Sequence, residues 1–287
     1  MTVHDFTTSL ATALAAAYPA AEAQAIAALV TEHLIGLSPL QRRMAGSKEV
    51  HPDVQARLPA VQARLLAHEP VQYVLGTAYF AGMELVVTPA TLIPRPETEE
   101  LAQLIARANA GRPGLTVLDV GTGSGCLAIA LADTLLTPAR VLAVDISVDA
   151  LAIAGLNAAH YAEMVELEQL DILQEAPRSL APGTLDILVS NPPYVRDSER
   201  ALMRDNVLAW EPATALFVPD ADPLRFYRRL AALAETLLRP GGQVWLEINE
   251  VLGAETAALF GPGQFTEVAV LPDFLGRVRF VRATRQG

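Results

Sequence analysis

The sequence contains very little cysteine and no long hydrophobic segment. Cys126 is the only cysteine among 287 residues, which excludes an internal disulfide and a cysteine-based metal cluster. No apolar run reaches the ~18 residues of a membrane-spanning helix. The opening segment MTVHDFTTSL also lacks the basic and long apolar regions of a signal peptide. We therefore expect a protein without membrane association that acts in a reducing compartment, the cytoplasm.

Positive charge is scarce as well. The chain has 21 Lys and Arg residues against 32 Asp and Glu residues, which gives a net charge of -11 at pH 7. A surface of that sign repels phosphate backbones, so we expect no direct nucleic-acid partner, and a basic protein partner fits better. No stripe of residues typical of an assembly interface is present, so we expect a monomer.

The sequence pattern divides the chain into three parts. Residues 1–72 are predicted to form a small helical bundle, because apolar residues recur there at three- and four-residue spacing. Residues 73–95 alternate Val, Tyr, Phe and Thr with turn glycines, which predicts a β-hairpin that links two domains. In residues 96–287 short strands alternate with helices. That order predicts an α/β domain with a mostly parallel sheet covered on both faces and an antiparallel edge.

A glycine-rich loop marks the first candidate site. The segment VLDVGTGSGCLAIALA places Gly121, Gly123 and Gly125 between a predicted strand and a predicted helix. Such a loop lets a ligand approach the backbone, and the helix N-terminus attracts negative charge. Asp145 ends the next predicted strand, where a carboxylate can accept hydrogen bonds from both hydroxyls of a ribose. The pattern predicts a nucleoside-cofactor site; Cys126 stands where the dinucleotide fingerprint has Gly or Ala, which disfavours a dehydrogenase.

The loop, preceded by the acid Asp119, resembles motif I of S-adenosylmethionine-dependent methyltransferases. The resemblance implies the class I fold, which is Rossmann-like with a mostly parallel seven-stranded sheet. It implies S-adenosyl-L-methionine as cofactor, S-adenosyl-L-homocysteine as product, and no metal. It also implies that Asp171 and Ile172 meet the adenine, the first at its exocyclic amine and the second on its ring. The expected cofactor-binding residues are Gly121, Thr122, Gly123, Ser124, Gly125, Asp145, Asp171, Ile172 and Asn191.

The segment SNPPYV follows the apolar run LDILVS, at a strand end that would lie beside the donor methyl group. It resembles the signature of methyltransferases that act on planar NH2 groups. An amide nitrogen is a poor nucleophile, and acceptors on both its N–H bonds would hold it and favour developing positive charge. We expect the Asn191 side-chain oxygen and the Pro192 carbonyl to be those acceptors. Pro193 would keep that carbonyl in place, and Tyr194 would stack on the flat substrate group.

Nearly the whole chain resembles one family, the bacterial release-factor glutamine N5-methyltransferases known as PrmC/HemK. The matching segments are EPVQYVLG, FAGMELVVTPATLIPRPETEEL, VLDVGTGSGCLAIALA, SNPPYV, EPATAL and FYRRL. The resemblance implies methyl transfer to the glutamine of the Gly-Gly-Gln loop of class 1 peptide chain release factors. It also implies that the N-terminal helices and the hairpin dock this protein substrate. Residues 95–98 would lie near the site as part of its wall, either as direct ligands or only as a capped helix start after a proline turn.

The chain departs from the family pattern at two places, and the sequence also leaves other functions open. Asp222–Pro223–Leu224 replaces the usual Asp-Gly-Leu, and Asn249 replaces the glycine of Glu-Ile-Gly, where Asn is able to adopt a positive φ. One rival is a glutamine methyltransferase acting on a ribosomal protein. Another is a DNA or RNA adenine N6-methyltransferase, which the net charge disfavours. A non-catalytic binding module would be favoured by a substitution in the glycine loop or at Asn191, and neither is substituted.

Overall fold

The computed structural model describes residues 1–136 and 140–287, which by their contacts form two compact units. The first unit comprises Met1–Thr77 and Arg204–Trp210, and the second comprises Ala78–Met203 and Glu211–Gly287. The first unit thus includes Arg204–Trp210 besides the helix-rich N-terminal part, and the sequence pattern does not predict this grouping. The three-part division into residues 1–72, 73–95 and 96–287 stays a prediction.

The elements alternate between helix and strand through most of the second unit. The helices are α1 (Val3–Leu14), α2 (Ala20–Ile35), α3 (Pro39–Met44), α4 (Pro52–Leu66), α5 (Val71–Leu75), α6 (Pro96–Ala108), α7 (Cys126–Thr134), α8 (Val148–Tyr161), α9 (Asp205–Trp210), α10 (Arg225–Leu237) and α11 (Gly253–Ala257). The strands are β1 (Thr77–Phe80), β2 (Met83–Val86), β3 (Thr116–Val120), β4 (Arg140–Asp145), β5 (Val165–Gln169), β6 (Leu185–Ser190), β7 (Val195–Arg196), β8 (Phe217–Val218), β9 (Leu238–Glu247), β10 (Phe265–Pro272) and β11 (Val278–Arg285). Across the described residues, none of the helices combines the length and the apolar character needed to cross a membrane.

The first unit is the expected bundle of short helices. A capping box of Thr2 and Asp5 starts α1, and Pro52 occupies the first turn of α4, where its missing N–H costs nothing. The apolar faces of α1, α2 and α4 meet in a core of their own. Phe6, Leu10 and Leu65 are fully buried within it. The unit therefore has its own hydrophobic stabilisation.

The segment predicted as a hairpin is partly helical. Residues 71–75 form α5, because Pro70 precedes its first turn and Gly76 closes it at φ 79°. The hairpin proper is β1 and β2, joined by Ala81 and Gly82. Both turn residues have positive φ, as a two-residue hairpin turn of type I′ requires.

A seven-stranded sheet forms the centre of the second unit, in the order β10-β11-β9-β6-β3-β4-β5. The pairs from β9 to β5 are parallel, whereas β11 is antiparallel to both of its neighbours. Two hydrophobic clusters cover its two faces, one with α6 and α7 and the other with α10. The prediction of a class I methyltransferase fold, mostly parallel with antiparallel pairing near one edge, is confirmed.

The register of the parallel strands aligns the carboxyl ends of β3, β4, β6 and β9. Val120 at the end of β3 is level with Val144 of β4 and Ser190 of β6, and Ser190 is level with Leu246 of β9. The next residue of each strand therefore emerges at the same edge of the sheet. Those residues are Gly121, Asp145, Asn191 and Glu247.

Candidate active site

A cavity of about 420 Å³ opens at this edge of the sheet. Ten of the predicted site residues line it, namely Gly121, Thr122, Gly123, Ser124, Asp145, Asp171, Ile172, Asn191, Pro192 and Pro193. Gly125 and Tyr194 are not among the lining residues of the described chain. The glycine loop and the Asn-Pro-Pro segment, about 70 residues apart in sequence, thus face one space.

The glycine loop borders the cavity with its backbone. Gly121 and Gly123 have φ of 73° and 57°, and a Cβ at either position would meet no atom within 4 Å. Gly125 is different, because it caps α7 at φ 83°, and a Cβ there would lie 3.1 Å from Ile129 and 3.3 Å from Ala154. Two glycines therefore leave room beside the cavity, while the third allows helix α7 to pack closely.

Asp145 is fixed by two backbone donors. Its Oδ2 accepts from the Gly123 N–H at 2.9 Å, and its Oδ1 accepts from the Ser147 N–H at 2.9 Å. Each carboxylate oxygen can accept a further hydrogen bond, so the group can bind a pair of hydroxyls. Asp171, at the next strand end, has one oxygen bonded to the Leu173 N–H at 3.0 Å. Two oriented carboxylates and the apolar side chain of Ile172 suit a nucleoside.

A second acid lies beneath the loop. Asp119 is buried at the end of β3, and its Oδ2 accepts from the Thr122 hydroxyl at 2.7 Å. Burial raises the pKa of Asp119 to about 7, against the opposing effect of the Thr122 hydrogen bond. The cavity-lining thiol of Cys126 has its pKa raised to about 12 for the same reason, so it stays protonated.

Asn191 is held through its amide nitrogen. Nδ2 donates to the Thr98 hydroxyl at 3.0 Å, and the Thr98 hydroxyl donates to Glu247 Oε2 at 2.7 Å. Ser190, just before it, donates its hydroxyl to the Val120 carbonyl at 2.7 Å. This arrangement leaves Asn191 Oδ1 as an acceptor.

Tyr194 lies beside the buried acid Glu247. Its hydroxyl donates to Glu247 Oε1 at 3.1 Å, and burial raises the pKa of that phenol far above its ordinary value. The partly buried Tyr194 ring packs against the core cluster that includes residues of α10. Its stacking on a substrate stays a prediction. Glu247 is 1% exposed, and burial raises its pKa although Thr98 and Tyr194 donate to it. Sequence reasoning missed Glu247 as a site residue; an acid at the end of a central buried strand is the signal that could have identified it.

Asn249 corrects one expectation about the departures from the family pattern. Its φ is −65°, so it does not use the positive φ that glycine would supply there. Its Oδ1 instead accepts from the Val251 N–H, and its Nδ2 donates to the Tyr194 carbonyl at 3.1 Å and to Glu199 at 3.0 Å. The residue therefore contacts the Asn-Pro-Pro-Tyr segment directly. Pro223, the other departure, precedes Arg225 and Phe226, which line the cavity.

An ion pair joins the loop before α6 to the loop before β8. Arg95 donates to Glu211 Oε1 at 2.7 Å, and the Ile93 N–H donates to Oε2 at 3.3 Å. The Glu211 side chain is 1% exposed, whereas that of Arg95 is 33% exposed and borders the cavity. Arg95 and Glu211 belong to two of the family-like segments, LIPRPETE and EPATAL. Phe217 continues the wall, with the Arg200 guanidinium 3.7 Å from its ring centre.

Comparison with known proteins matches both parts of the chain. A family model described as a methyltransferase domain covers residues 112–252, and one described as the PrmC N-terminal domain covers residues 7–76. A release factor glutamine methyltransferase from Bacteroides thetaiotaomicron is 42% identical over 93% of this chain and 95% of its own length.

Proteins of the same name from two further bacteria are also similar. That of Flavobacterium psychrophilum is 42% identical over 77% of this chain and 78% of its own length. That of Cereibacter sphaeroides is 38% identical over 88% of this chain and 87% of its own length. The likeness therefore extends well beyond the methyltransferase domain.

Proposed function

The chain belongs to the release factor glutamine methyltransferases, and from that premise we propose that it methylates the glutamine side-chain amide in the Gly-Gly-Gln segment of class 1 peptide chain release factors. The methyl group comes from S-adenosyl-L-methionine and is transferred to N5 of the glutamine. One observation carries the proposal: Asn191, with its NH2 group bonded to Thr98, leaves Oδ1 as an acceptor in the cavity that Asp145 and the glycine loop also border.

The residues of the cavity fit S-adenosyl-L-methionine. Asp145 would accept from the ribose hydroxyls, because both its oxygens are oriented by backbone N–H groups and each retains accepting capacity. Ile172 would pack on the adenine and Asp171 would accept from its exocyclic amine. The open backbone at Gly121 and Gly123 would border the amino-acid part. When bound, this cofactor supplies a methyl group activated by a positively charged sulfur.

Methyl transfer to an amide requires the protein to hold the glutamine amide nitrogen and to stabilise the positive charge that develops on it. Asn191 Oδ1 and the Pro192 carbonyl would accept its two N–H bonds, which fixes the direction of the nitrogen lone pair. Two acceptors also stabilise the positive charge that develops as the nitrogen is alkylated. Pro193 restricts the backbone that carries the Pro192 carbonyl. No strong base is needed before transfer, because the nitrogen becomes acidic only once it carries positive charge.

The remaining features concern the partner. We propose that the helical N-terminal part, with the hairpin, docks the release factor, and that the enzyme works as a monomer without direct nucleic-acid contact. The net charge of -11 favours a protein surface over a phosphate backbone. Since bacterial release factors act on ribosomes, the proposed activity belongs in the cytoplasm.

A panel of acceptors tests the proposal. The purified chain is incubated with radiolabelled S-adenosyl-L-methionine and, in parallel, a release factor, its Gly-Gly-Ala variant, a ribosomal protein and DNA. We expect label on the wild-type release factor alone. Label on the ribosomal protein or on DNA would retain methyl transfer and overturn the substrate, whereas label on the Gly-Gly-Ala variant would overturn the site of methylation.

A further inference from the structure

A chain of hydrogen bonds runs into the protein interior from Asn191, the proposed hydrogen-bond acceptor for the substrate amide. Asn191 Nδ2 donates to Thr98 Oγ1 at 3.0 Å, and Thr98 Oγ1 donates to Glu247 Oε2 at 2.7 Å. Thr98 is 3% exposed and Glu247 is 1% exposed. The three residues come from α6, the end of β6 and the end of β9, far apart in sequence. Their meeting at the cavity is therefore a property of the fold rather than of a local motif.

The direction of these bonds follows from the number of protons available. A threonine hydroxyl has one proton, and here that proton is donated to Glu247 Oε2. The other Glu247 oxygen is occupied by the Tyr194 hydroxyl at 3.1 Å. Thr98 can therefore only accept from Asn191, so the NH2 side of the amide must face Thr98. The amide oxygen is then left for the cavity.

We propose that Thr98, held by Glu247, is a positioning residue that fixes the Asn191 amide with its oxygen towards the substrate. The inference rests on the proposed function, in which Asn191 Oδ1 accepts from the glutamine NH2 group. An Asn amide rotated by half a turn would present two N–H donors to another NH2 group, and the required acceptor would be lost. The NH2 and oxygen ends of the Asn191 amide are similar in size, so packing alone selects poorly between its two orientations.

Glu247 holds the other end of the same segment as well. Its Oε1 accepts from Tyr194, three residues after Asn191, and the Tyr194 carbonyl accepts from Asn249 Nδ2 at 3.1 Å. The acid therefore ties both ends of the four-residue Asn-Pro-Pro-Tyr segment to the end of β9. A buried carboxylate is costly unless its partners are well arranged, and here two hydroxyl donors satisfy it.

Thr98→Val and Thr98→Ser form a matched pair of variants. Valine keeps the shape of threonine and lacks the hydroxyl, whereas serine keeps the hydroxyl. We expect Thr98→Val to lower kcat by about 10-fold to 100-fold, because the acceptor is no longer held in one orientation. Affinity for S-adenosyl-L-methionine should change less than about twofold, and Thr98→Ser should recover most of the lost kcat. Equal kcat in the Val variant and the wild type would overturn the inference.

A double-mutant cycle separates positioning from general structural support. If Thr98 acts through Asn191, then Thr98→Val should cost nothing further in an Asn191→Ala background, measured in single turnovers. The same loss in both backgrounds would contradict the inference. If Asn191→Ala itself leaves methyl transfer unchanged, the proposed acceptor role fails and the inference fails with it. A large loss in Asn191→Ala with no loss in Thr98→Val would instead retain the function and reject only the role of Thr98.

A measurement without turnover completes the test. In protein with 15N-labelled asparagine, the Asn191 side-chain NH2 signals, assigned by their loss in Asn191→Ala, report on the bond to Thr98. We expect one proton to exchange slowly with solvent in the wild type and in Thr98→Ser, and to exchange rapidly in Thr98→Val. Unchanged exchange in Thr98→Val would overturn the inference whatever the activity of the variant.

Discussion

Asp145 combines two tasks in one side chain. It organises the glycine loop through the Gly123 N–H and the turn after β4 through the Ser147 N–H, and it borders the cavity. Because the ribose hydroxyls of the cofactor would bond to a charged acceptor, Asp145→Ala should weaken S-adenosyl-L-methionine binding by about 10-fold to 100-fold. Isothermal calorimetry measures this directly. Asp145→Asn keeps one acceptor oxygen, so its affinity for S-adenosyl-L-methionine should lie between those of the wild type and Asp145→Ala. An unchanged affinity in Asp145→Ala would refute the role of Asp145 in binding the ribose.

Asp119 gives the protein a pH-dependent stability. Burial raises its pKa from the ordinary 3.8 to about 7, so the folded state binds this proton more tightly than the unfolded chain does. The stabilisation is complete below pH ~4 and is lost as the pH rises towards ~7. From about pH 5 to about pH 8 we expect the free energy of unfolding of the wild type to fall relative to that of Asp119→Asn.

Chemical unfolding of both proteins at several pH values checks this expectation. The pKa of Glu247 is also raised, but it contributes equally to both proteins and cancels from the difference. Between the unfolded and folded pKa of Asp119, the difference in unfolding free energy between the two proteins should change by roughly 1.4 kcal/mol for each pH unit. A difference that does not vary with pH would show that Asp119 is ionised in the folded protein throughout the range.

Single residues were predictable from sequence where the chemistry is local. Gly121 and Asn191 stand directly after an apolar strand and Asp145 ends one, and such positions predict exposure at the sheet edge. Thr98 and Glu247 are 149 residues apart, and neither has a neighbour in sequence that indicates the other. Their hydrogen bond depends on how α6 packs near the end of β9, which no local pattern encodes.

At the scale of elements, the ion pair between Arg95 and Glu211 joins the segment before α6 to the segment before β8. Removing the guanidinium leaves a carboxylate of 1% exposure, whose remaining partner within residues 1–136 and 140–287 is the Ile93 N–H. We expect Arg95→Met to lower the free energy of unfolding by about 2 kcal/mol. That is below the ~3–5 kcal/mol of fully buried pairs, because Arg95 itself is 33% exposed.

The double variant Arg95→Met/Glu211→Gln is the control for this prediction. It removes the buried charge as well as its partner, so part of the lost stability should return. Denaturant unfolding of the wild type, of each single variant (Arg95→Met and Glu211→Gln) and of the double variant gives the values that are compared. If the double variant is as unstable as the sum of two independent losses, the buried carboxylate is not the origin of the effect.

Element type was predictable for most of the parallel sheet and less so elsewhere. The βαβ order from β3 to β6 follows from apolar runs separated by helical patterns. Strand β10 was not identified, and its pairing with β11 is interrupted by a bulge near Glu267, whose φ is 50°. Helix α5 lies in a stretch rich in β-branched and aromatic residues, where Pro70 and Gly76 outweigh the preference for strand.

At the scale of the whole molecule, the N-terminal helices have their own core and we propose that they recognise the protein substrate. Deleting residues 1–70 should raise KM for the release factor by about 10-fold or more, while the Kd for S-adenosyl-L-methionine changes less than about twofold. A short Gly-Gly-Gln peptide is the control, because without the rest of the factor it should react at similar rates with both proteins.

The truncated protein must first be shown to fold, since Arg204–Trp210 belongs to the deleted unit and loses its neighbours. Thermal unfolding in the presence and absence of the cofactor gives that answer. A larger effect on cofactor affinity than on KM for the release factor would reverse the proposed roles of the two parts of the chain.

We propose that this chain places one methyl group on the glutamine of a Gly-Gly-Gln segment, with Asn191 Oδ1 accepting a hydrogen bond from the glutamine NH2 group. The most direct measurement is mass spectrometry of the proteolysed release factor after reaction with the wild type and with Asn191→Ala. We predict that the wild type adds the mass of one methyl group to the Gly-Gly-Gln peptide, with fragmentation locating it on the glutamine. The variant should do so at least about 100-fold more slowly. A methyl group on another residue would contradict the proposed substrate site, and an equal rate with Asn191→Ala would contradict the proposed role of Asn191.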